Sequence, residues 1–422
     1  MSQEDVSAMT AAPASRAWPL LAALLALAGC ATPAPQEPSA PAAAPALPPD
    51  AQRTIYVDPS GKCDGRTPCY RTLGEATLDS LRSQLDDQLR PLRPNAPPDR
   101  IIVMPGVYTA ARLNEWVLIL GFNGEDGIPG IWKLELIAEK GPEVTVISGQ
   151  DTSPCLWTID HIDLTVRGFT FTGCTDVDPN VRNDDYAVYI QSFLNARIRL
   201  EGNVFHDNNS SAAVIGISPF YANVANLDVR VVGNRFYRNF AAIHVLSLPE
   251  SVLPAHSASV LIANNLIHDN GRETTEYSVG GVRIFNRVVA AHDIRIDVVN
   301  NTIANNRGVG LSLVETQGIN VQNNIVTGNG VDIDEWLANS RVTTNLVSSP
   351  TGLSSPGNVL GDPMFVNPSA GDFTPAKGSP AIDAAATLPI LELRVDILGN
   401  PRPVDGNGDG KAVADMGAVE VQ

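Results

Sequence analysis

The sequence predicts an all-β fold, a single-stranded parallel β-helix in which each coil repeats the strands of the coil before it. Two observations predict this fold: a turn-rich composition, and a pair of asparagines that recurs with short strand-like segments through the chain. Of the 422 residues, 44% are hydrophobic and 18% charged, with 34 Gly and 32 Pro. This balance favours short strands joined by turns over helices.

The recurring segments read GNVFHDN, GNRFYRN, NNLIHDN, NNTIANN and NNIVTGN. Their first aligned asparagines are Asn203, Asn234, Asn265, Asn301 and Asn324, separated by 31, 31, 36 and 23 residues. In each segment a second Asn follows five residues later. Self-similarity at such spacings indicates a solenoid, with the longer intervals containing inserted loops.

Stacked coils explain why asparagine recurs beside strand residues. In a parallel β-helix each strand pairs with its equivalent one coil away, at about 4.8 Å. An Asn at the same turn of every coil can therefore hydrogen-bond to the Asn above and below, and Asn tolerates the left-handed backbone of such turns. The alternative, a loop-rich sandwich with coincidental Asn pairs, does not require this repetition.

The N-terminus predicts export. Arg16 precedes an apolar run, residues 17–28, that is too short to span a bilayer and ends in LAGC. LAGC resembles the bacterial lipobox, which implies lipidation of Cys30; the alternative is an ordinary signal peptide with an incidental Cys. We therefore expect a signal peptide at 1–29, a Pro/Ala-rich tether at 30–53, and a lipoprotein of the bacterial cell envelope, at the outer membrane or cell surface.

Four further cysteines fit an oxidising compartment. Cys63, Cys69, Cys155 and Cys174 predict two disulfides, with three connectivities available. Proximity favours Cys63–Cys69 and Cys155–Cys174. Their spacings lack the paired CxxC and His pattern of a zinc site, so metal binding is the weaker interpretation.

The folded part is predicted to run from Thr54. One amphipathic helix is expected near 72–89, where leucines recur at helical intervals among charged residues. The chain after Ile101 reads as short strands broken by Gly, Asn, Asp and Pro. We therefore expect a β-helix at 54–360 with this helix near its N-terminal end, followed by a C-terminal segment at 361–422.

The two ends of the folded part resemble a known family. The opening IYVDPSG and YRTLGEA, followed by MPGVY, resembles the right-handed parallel β-helix proteins of the pectin-lyase-like superfamily. The closing GDPMFVNPSAGDFTPAKGSPAIDAAA is similar to the C-terminal region of bacterial surface proteins with a choice-of-anchor Q domain. The resemblance implies a right-handed helix, an N-terminal cap, a C-terminal segment that closes the helix, and a carbohydrate-facing groove. Because β-helices also serve as inert spacers and adhesins, a site must be argued from residues.

The strand after each Asn pair carries the candidate site. Alternation predicts inward positions at Val188, Ile243, Val282, Leu311 and Val331. The residues predicted to face outward are Tyr189, Ile215, His244, Arg283, Ser312 and Asp332. We expect His244 and Arg283 on neighbouring coils, with Asp332 two coils beyond Arg283. Insertions at 248–258 and 271–279 are expected to wall a groove beside them.

A base, a cation and a carboxylate on one face suit the β-elimination of uronides. Arg283 would neutralise the sugar carboxylate and His244 would take the proton at C5, with Asp332 as the third catalytic candidate. Tyr189, Ser312 and Asp334 are the substrate-binding candidates. Hydrolysis needs two carboxyl groups at about 5–9 Å, and only Asp332 and Asp334 pair on this face. The alternative is an ordinary solvated surface.

Histidines and acidic residues suggest two further sites. His206 and His268 share a predicted column, but Tyr237 lies between them, which favours turn decoration over metal binding. In DGNGDG, Asp405, Asn407 and Asp409 stand at positions one, three and five of a calcium loop. Position twelve is Met416, and Asp415 comes one residue early. Calcium is therefore the only cofactor suggested; the alternative is an acidic Gly-rich turn.

Together these features predict an exported, lipid-anchored protein that binds or processes polysaccharide. Its partners would be a polysaccharide or cell-surface glycan and, through the lipid, a membrane. If it is an enzyme, uronide lyase chemistry is expected; the alternative is a non-catalytic envelope or adhesion scaffold. A net charge of −17 argues against nucleic acid, which needs clustered Lys and Arg.

Overall fold

The structure is a computed structural model that describes residues 51–111, 116–121, 130–175, 186–192, 195–217, 226–247, 257–271, 279–286, 293–336 and 339–422. These residues belong to one compact unit. The predicted signal peptide and Cys30 lie outside the described residues, as do 248–256 and 272–278, which form most of the two predicted groove walls.

The described residues form one α-helix and many short strands. The first coils contain β1 (Thr54–Val57), β2 (Cys69–Tyr70), α1 (Leu73–Gln84), β3 (Asp99–Val103), β4 (Gly106–Thr109), β5 (Leu118–Leu120), β6 (Trp132–Ala138), β7 (Thr145–Ser153), β8 (Leu156–Thr158), β9 (Ile162–Arg167), β10 (Thr170–Cys174) and β11 (Tyr186–Ser192). The middle coils contain β12 (Ala196–Glu201), β13 (Val204–His206), β14 (Ser211–Ile217), β15 (Asn226–Val232), β16 (Arg235–Tyr237), β17 (Ala241–Ser247), β18 (Ser257–Ala263), β19 (Leu266–His268) and β20 (Val282–Asn286). The last part contains β21 (Asp293–Val299), β22 (Thr302–Ala304), β23 (Val309–Val314), β24 (Gln317–Gln322), β25 (Ile325–Thr327), β26 (Val331–Trp336), β27 (Asn339–Thr343), β28 (Leu346–Val347), β29 (Val359–Leu360), β30 (Phe365–Asn367) and β31 (Asp372–Pro375).

Three long parallel sheets run along the molecule. Sheet 1 has the order β2-β1-β3-β6-β9-β12-β15-β18-β21-β24-β27, sheet 2 runs from β4 by every third strand to β28 and then β29, and sheet 3 runs from β5 by every third strand to β26. Successive strands of the chain therefore enter sheets 1, 2 and 3 in turn, which is the topology of a coil. The predicted fold, an all-β parallel β-helix with one N-terminal helix, is confirmed.

Helix α1 is shorter than predicted. Thr72 accepts a hydrogen bond from the backbone of Glu75, whose side chain returns to the Thr72 backbone, so a capping box starts the helix. The helix ends at Gln84 because Leu85 is extended. Its buried Leu73 joins the same hydrophobic core as the first strands.

The core is a continuous stack of inward side chains. Phe171, Phe205 and Phe236 occupy equivalent places on three successive strands of sheet 2. Their rings stack with centroids 4.9 and 4.7 Å apart, and all three are fully buried. Like side chains on successive coils therefore fill the interior layer by layer, which is how a repeat protein buries its apolar surface.

Two ladders of asparagine side chains run along the turns. From Asn203 through Asn234, Asn265, Asn301 and Asn324, each Nδ2 donates to Oδ1 of the next Asn at 2.9–3.1 Å, and each backbone N–H donates to the same oxygen. This ladder continues through Asn345 to Asn358. The second ladder contains Asn208, Asn239, Asn270, Asn306 and Asn329. Buried amides thus satisfy the turn backbone at every coil.

The C-terminal segment, 361–422, lies along the side of the β-helix. Leu393 packs with Leu261 and Val299, and Phe373 packs with Leu266. The end of the helix is covered instead by residues 348–360, whose Ser355 donates to the carboxylate of Glu335. The segment 361–422, which was expected to close the helix, therefore packs along its side over the later coils.

Candidate functional site

Sheet 3 carries a row of residues, one on each strand from β8 to β26, that the strand register defines. Neighbouring members pair in the order Trp157, Tyr189, Val214, His244, Arg283, Ser312 and Asp334. We call this row the sheet 3 column. With about 4.8 Å between strands, its six steps span roughly 29 Å. The column is therefore long enough to contact several units of a linear polymer.

Asp332 does not belong to this column, which corrects one predicted position. Ser312 pairs with Asp334, and Ile333 pairs with Leu311, so the last strand is aligned two residues later than expected. The Asp332 side chain is 1% exposed. Its Oδ2 accepts hydrogen bonds from the Ser348 backbone, the Ser348 hydroxyl and the Ser349 backbone. Its carboxylate therefore anchors the final turn, where no substrate reaches it.

Ile215 is a second correction. It pairs with Val245 and is fully buried, so it faces the core, and Val214 is the residue in register with His244. The inward positions predicted for Val188, Ile243, Val282 and Leu311 are confirmed, since all four are fully buried. At the last coil Ile333 pairs with Leu311, so Val331 is not the equivalent residue.

His244 lies in the middle of the column as a neutral imidazole. Its Nε2 is buried and has no hydrogen-bond partner among the described residues, while Nδ1 lies 3.5 Å from the Ser211 hydroxyl. Burial, followed by the positive charge of Arg283, lowers the pKa of His244 to about 3. The ring can therefore accept or donate one further hydrogen bond without carrying charge at neutral pH.

Arg283 is the neighbouring cation. Among the described residues, its buried Nε has no hydrogen-bond partner, and no carboxylate lies within ion-pair distance of its guanidinium. Burial lowers the pKa of Arg283 from its ordinary value, but a guanidinium stays protonated at neutral pH. A partly desolvated cation without a counter-ion is costly, and an anionic ligand would relieve that cost.

Aromatic rings occupy the N-terminal end of the column. The ring of Trp157 lies 5.7 Å from that of Trp116, and the ring of Tyr189 stacks on Tyr186 at 4.6 Å. All four side chains are half-buried. Trp116, Trp157 and Tyr186 are not predicted by the asparagine repeats, because all three precede the first repeat at Asn203.

An apolar row runs beside the column, two residues further along each strand. Leu246 pairs with Phe285, Phe285 with Val314, and Val314 with Trp336. Trp336 is 47% exposed. The late coils of sheet 3 thus present a polar row and an apolar row in parallel, as expected of a surface that binds a ligand with both kinds of edge.

The C-terminal end of the column is acidic. Asp334 is half-buried, and burial together with the charge of Glu335 raises its pKa above the ordinary value. Glu335 itself is held by hydrogen bonds from the backbone and hydroxyl of Ser355. The column therefore changes from aromatic through cationic to acidic along its length.

The predicted calcium loop is a hydrogen-bonded turn. Asp405 accepts from the backbone of Gly408 and Gly410, and Asn407 accepts from that of Asp409. Asp415 is fully buried, and its carboxylate accepts from Asp383 and Val421 instead. In the described ranges, no three His, Cys, Asp or Glu side chains are grouped to hold a metal ion. Calcium binding by this loop stays a prediction.

The histidines of sheet 2 stack with the tyrosine between them. His206 and Tyr237 lie 5.1 Å apart, and Tyr237 and His268 lie 5.4 Å apart. Each histidine Nδ1 lies 2.7 Å from the carboxylate of the next residue, Asp207 or Asp269. The separation of the two imidazoles by Tyr237 agrees with the expectation that they decorate a turn.

Both predicted disulfides are confirmed. Cys63 bonds to Cys69 with 5.9 Å between the Cα atoms, and Cys155 bonds to Cys174 with 5.6 Å. The second bond ties the strand that carries Trp157 to β10 and so supports the aromatic end of the column. No helix in the described part of the chain is both long and apolar enough to cross a membrane.

A groove of about 680 Å³ lies on sheet 1, on a different face. Its charged row alternates in sign, and Arg197 lies 3.1 Å from Asp163 and 3.7 Å from Asp228. Arg197 of this groove is thus paired with two carboxylates, whereas no carboxylate of the described residues pairs with Arg283 on sheet 3. The sheet 3 column is therefore the stronger candidate site.

Comparisons with known proteins find a likeness to solved structures. No family model matches the chain, and no curated protein matches it in sequence. Among solved structures the chain is similar to pectate lyase Pel9A, with 14% identity and a TM-score of 0.45 over 88% of this chain and 98% of that chain. The fold assignment rests on the strand pairing described above.

Proposed function

We propose that the protein binds an anionic polysaccharide along the sheet 3 column. One observation carries this proposal: His244 and Arg283 lie side by side, each with a buried nitrogen that has no hydrogen-bond partner in the described residues. Buried donors of this kind are rare unless a ligand completes them. A uronic acid would supply a carboxylate for Arg283 and a hydroxyl for His244.

The aromatic end of the column supports a sugar ligand. The C–H faces of a pyranose pack on the rings of tryptophan and tyrosine, whose faces carry partial negative charge. Trp157 and Tyr189 lie on adjacent coils of the same column as Arg283. A linear glycan could therefore stack on the rings and place its acid group on the cation.

β-Elimination is the second candidate function, favoured by the neutral state of His244 next to the cation of Arg283. The reaction needs a base for the proton at C5 and a positive charge for the sugar carboxylate. However, a base with a pKa of about 3 is weak at neutral pH. Binding a carboxylate beside His244 would raise that pKa. Polysaccharide binding is thus supported more strongly than turnover.

A matched pair of variants tests the binding proposal. We expect Arg283→Gln to weaken binding of uronic acid polymers by at least about tenfold in affinity electrophoresis. Arg341→Gln removes an exposed cation from β27 of sheet 1 and should leave binding unchanged. Equal loss in both variants would mean that general charge, and not the column, attracts the polymer. No binding of any polymer by the native protein would favour an inert scaffold.

Turnover is tested separately. A lyase would produce absorbance at about 235 nm from the unsaturated sugar when the protein meets pectate, alginate or glycosaminoglycans, and His244→Asn would remove it. No absorbance change from any of the polymers would reject elimination while leaving the binding proposal intact.

We also propose that the protein is held at the bacterial cell envelope through lipid on Cys30. The support is the LAGC sequence and the Pro/Ala-rich stretch after it. Mass spectrometry of the mature N-terminus would show a diacylated or triacylated cysteine. An unmodified N-terminus elsewhere would reject the anchor.

A further inference from the structure

We infer that the ligand is a heteropolysaccharide whose uronic acids are separated by at least two neutral sugars, and not a polymer of uronic acid alone. This inference rests on the proposed binding function and specifies its ligand. It follows from the order of charges along the sheet 3 column.

The strands of sheet 3 offer one place for a carboxylate. Across the eight described strands of this sheet, Arg283 is the single Lys or Arg. Its neighbours toward the N-terminal end are His244, Val214 and Tyr189. None of these carries positive charge at neutral pH, because the pKa of His244 is far below 7. A second carboxylate on this side would meet no counter-ion among the strands of sheet 3.

The other side of Arg283 repels a carboxylate. Ser312 lies one coil away and Asp334 two coils away, with Glu335 next to Asp334 in sequence. A pyranose in an extended chain advances by roughly the same distance as one coil, about 4.8 Å. With one acid on Arg283, a homopolymer of uronic acid would place another against Asp334. Like charges at such a distance weaken binding.

The same spacing also disfavours strictly alternating acidic polymers. Every second sugar from Arg283 reaches Asp334 on one side and Val214 on the other. When successive uronic acids are three or more sugars apart, no second acid reaches Asp334. The hydroxyls of neutral sugars can instead donate to the Asp334 carboxylate. Neutral sugars also suit the rings of Tyr189 and Trp157. The formal net charge of −17 further disfavours dense polyanions.

The experiment compares two octasaccharides by isothermal titration calorimetry at low ionic strength. One is a fragment of deacylated gellan, a linear glycan with one glucuronate in every four sugars, and the other is octagalacturonate, with an acid on every sugar. We expect the gellan fragment to bind at least about fivefold more tightly, because it places no acid against Asp334. Arg283→Gln should weaken both.

Asp334→Asn is the decisive variant. We expect it to raise the affinity for octagalacturonate at least about threefold while leaving gellan binding unchanged, since only the former places an acid at that position. Asp372→Asn removes an exposed carboxylate from β31 and serves as the matched control. Circular dichroism of each variant confirms that it folds.

The outcomes distinguish failure of this inference from failure of the proposed polysaccharide binding. Equal or tighter binding of octagalacturonate by the native protein overturns the inference and leaves anionic polysaccharide binding in place. The inference is also overturned, with anionic polysaccharide binding retained, if Asp334→Asn and Asp372→Asn change the ratio of the two affinities equally. Binding of neither fragment overturns the proposed function, and the inference with it.

Discussion

Replacing Asn265 with Ala should destabilise the protein far more than the same change at Asn358, although both belong to one ladder. Asn265 is fully buried in the middle of the ladder. Its Nδ2 donates to the Val231 carbonyl at 2.8 Å and to Asn301 at 2.9 Å, and its Oδ1 accepts twice from Asn234. Asn358 makes the same kinds of bond but is half-buried at the end of the helix.

The magnitude follows from the groups left without partners. In Asn265→Ala the backbone N–H of Asn234 loses its acceptor in a dry environment, which costs about 1–3 kcal/mol, and three further hydrogen bonds are lost at about 0.5–1.5 kcal/mol each. Because some freed groups keep a second partner, we expect a total near 4 kcal/mol. In Asn358→Ala water can replace the lost bonds, so about 1 kcal/mol is expected.

Urea unfolding followed by circular dichroism and by tryptophan fluorescence measures this difference. Coincidence of the two signals tests whether one free energy of unfolding describes the transition, a necessary check in a repeat structure. Equal losses of stability in the two variants would refute the reasoning, because burial is the property in which the two sites differ.

Three further predictions concern the C-terminal segment. Arg402 pairs in the interior with Glu420 at 2.8 Å. Arg402→Met should lower the free energy of unfolding by about 3–5 kcal/mol, because it leaves the Glu420 carboxylate buried and unpaired. The double variant Arg402→Met/Glu420→Gln should recover part of this loss in urea unfolding. Burial raises the pKa of Asp415 from 3.8 to about 6, so the folded state binds more protons than the unfolded state between these values. The contribution of Asp415 to stability should therefore fall as the pH rises from about 4 to 6. Asp415→Asn should reduce this dependence of stability on pH, as measured by thermal unfolding at several pH values. Asn323 exchanges two hydrogen bonds of 2.8 Å with the backbone of Ala386. Replacement of Asn323 by Gly should therefore expose the chain near 386 to faster proteolysis, while Gly202→Ala, one coil further from the segment, should not. An unchanged cleavage rate would contradict a holding role for Asn323.

The asparagine repeats made the fold predictable from the sequence, whereas side-chain register was only partly predictable. His244 and Ser312 stand five and six residues after Asn239 and Asn306, the second Asn of each pair. After Asn208 and Asn329 the aligned residues Val214 and Asp334 stand six and five residues away, so the offset differs by one between coils and does not by itself select these two positions. The misplacement of these two positions arose because each strand was aligned by its apolar pattern, and one of these strands begins earlier than its neighbours.

The lateral position of the C-terminal segment could not be predicted, because its contacts join residues more than sixty positions apart in sequence. The length of α1 was overestimated for a local reason. The leucine periodicity continues past Gln84, but Leu89 adopts a left-handed backbone with a φ of 56°. Apolar periodicity does not reveal where such a turn begins.

The residue just before each of the first five asparagines of the first ladder divides these coils into two classes. It is Gly202 or Gly233 in the early coils and Asn264, Asn300 or Asn323 in the later ones, and all five have a positive φ. The three asparagines hold the C-terminal segment through its backbone carbonyls. Duplicating a Gly-Asn coil would therefore lengthen the protein without disturbing this attachment. Duplicating an Asn-Asn coil would separate the attachment points by about 4.8 Å more than the segment can match. The length of this solenoid can thus change freely only toward its N-terminal end.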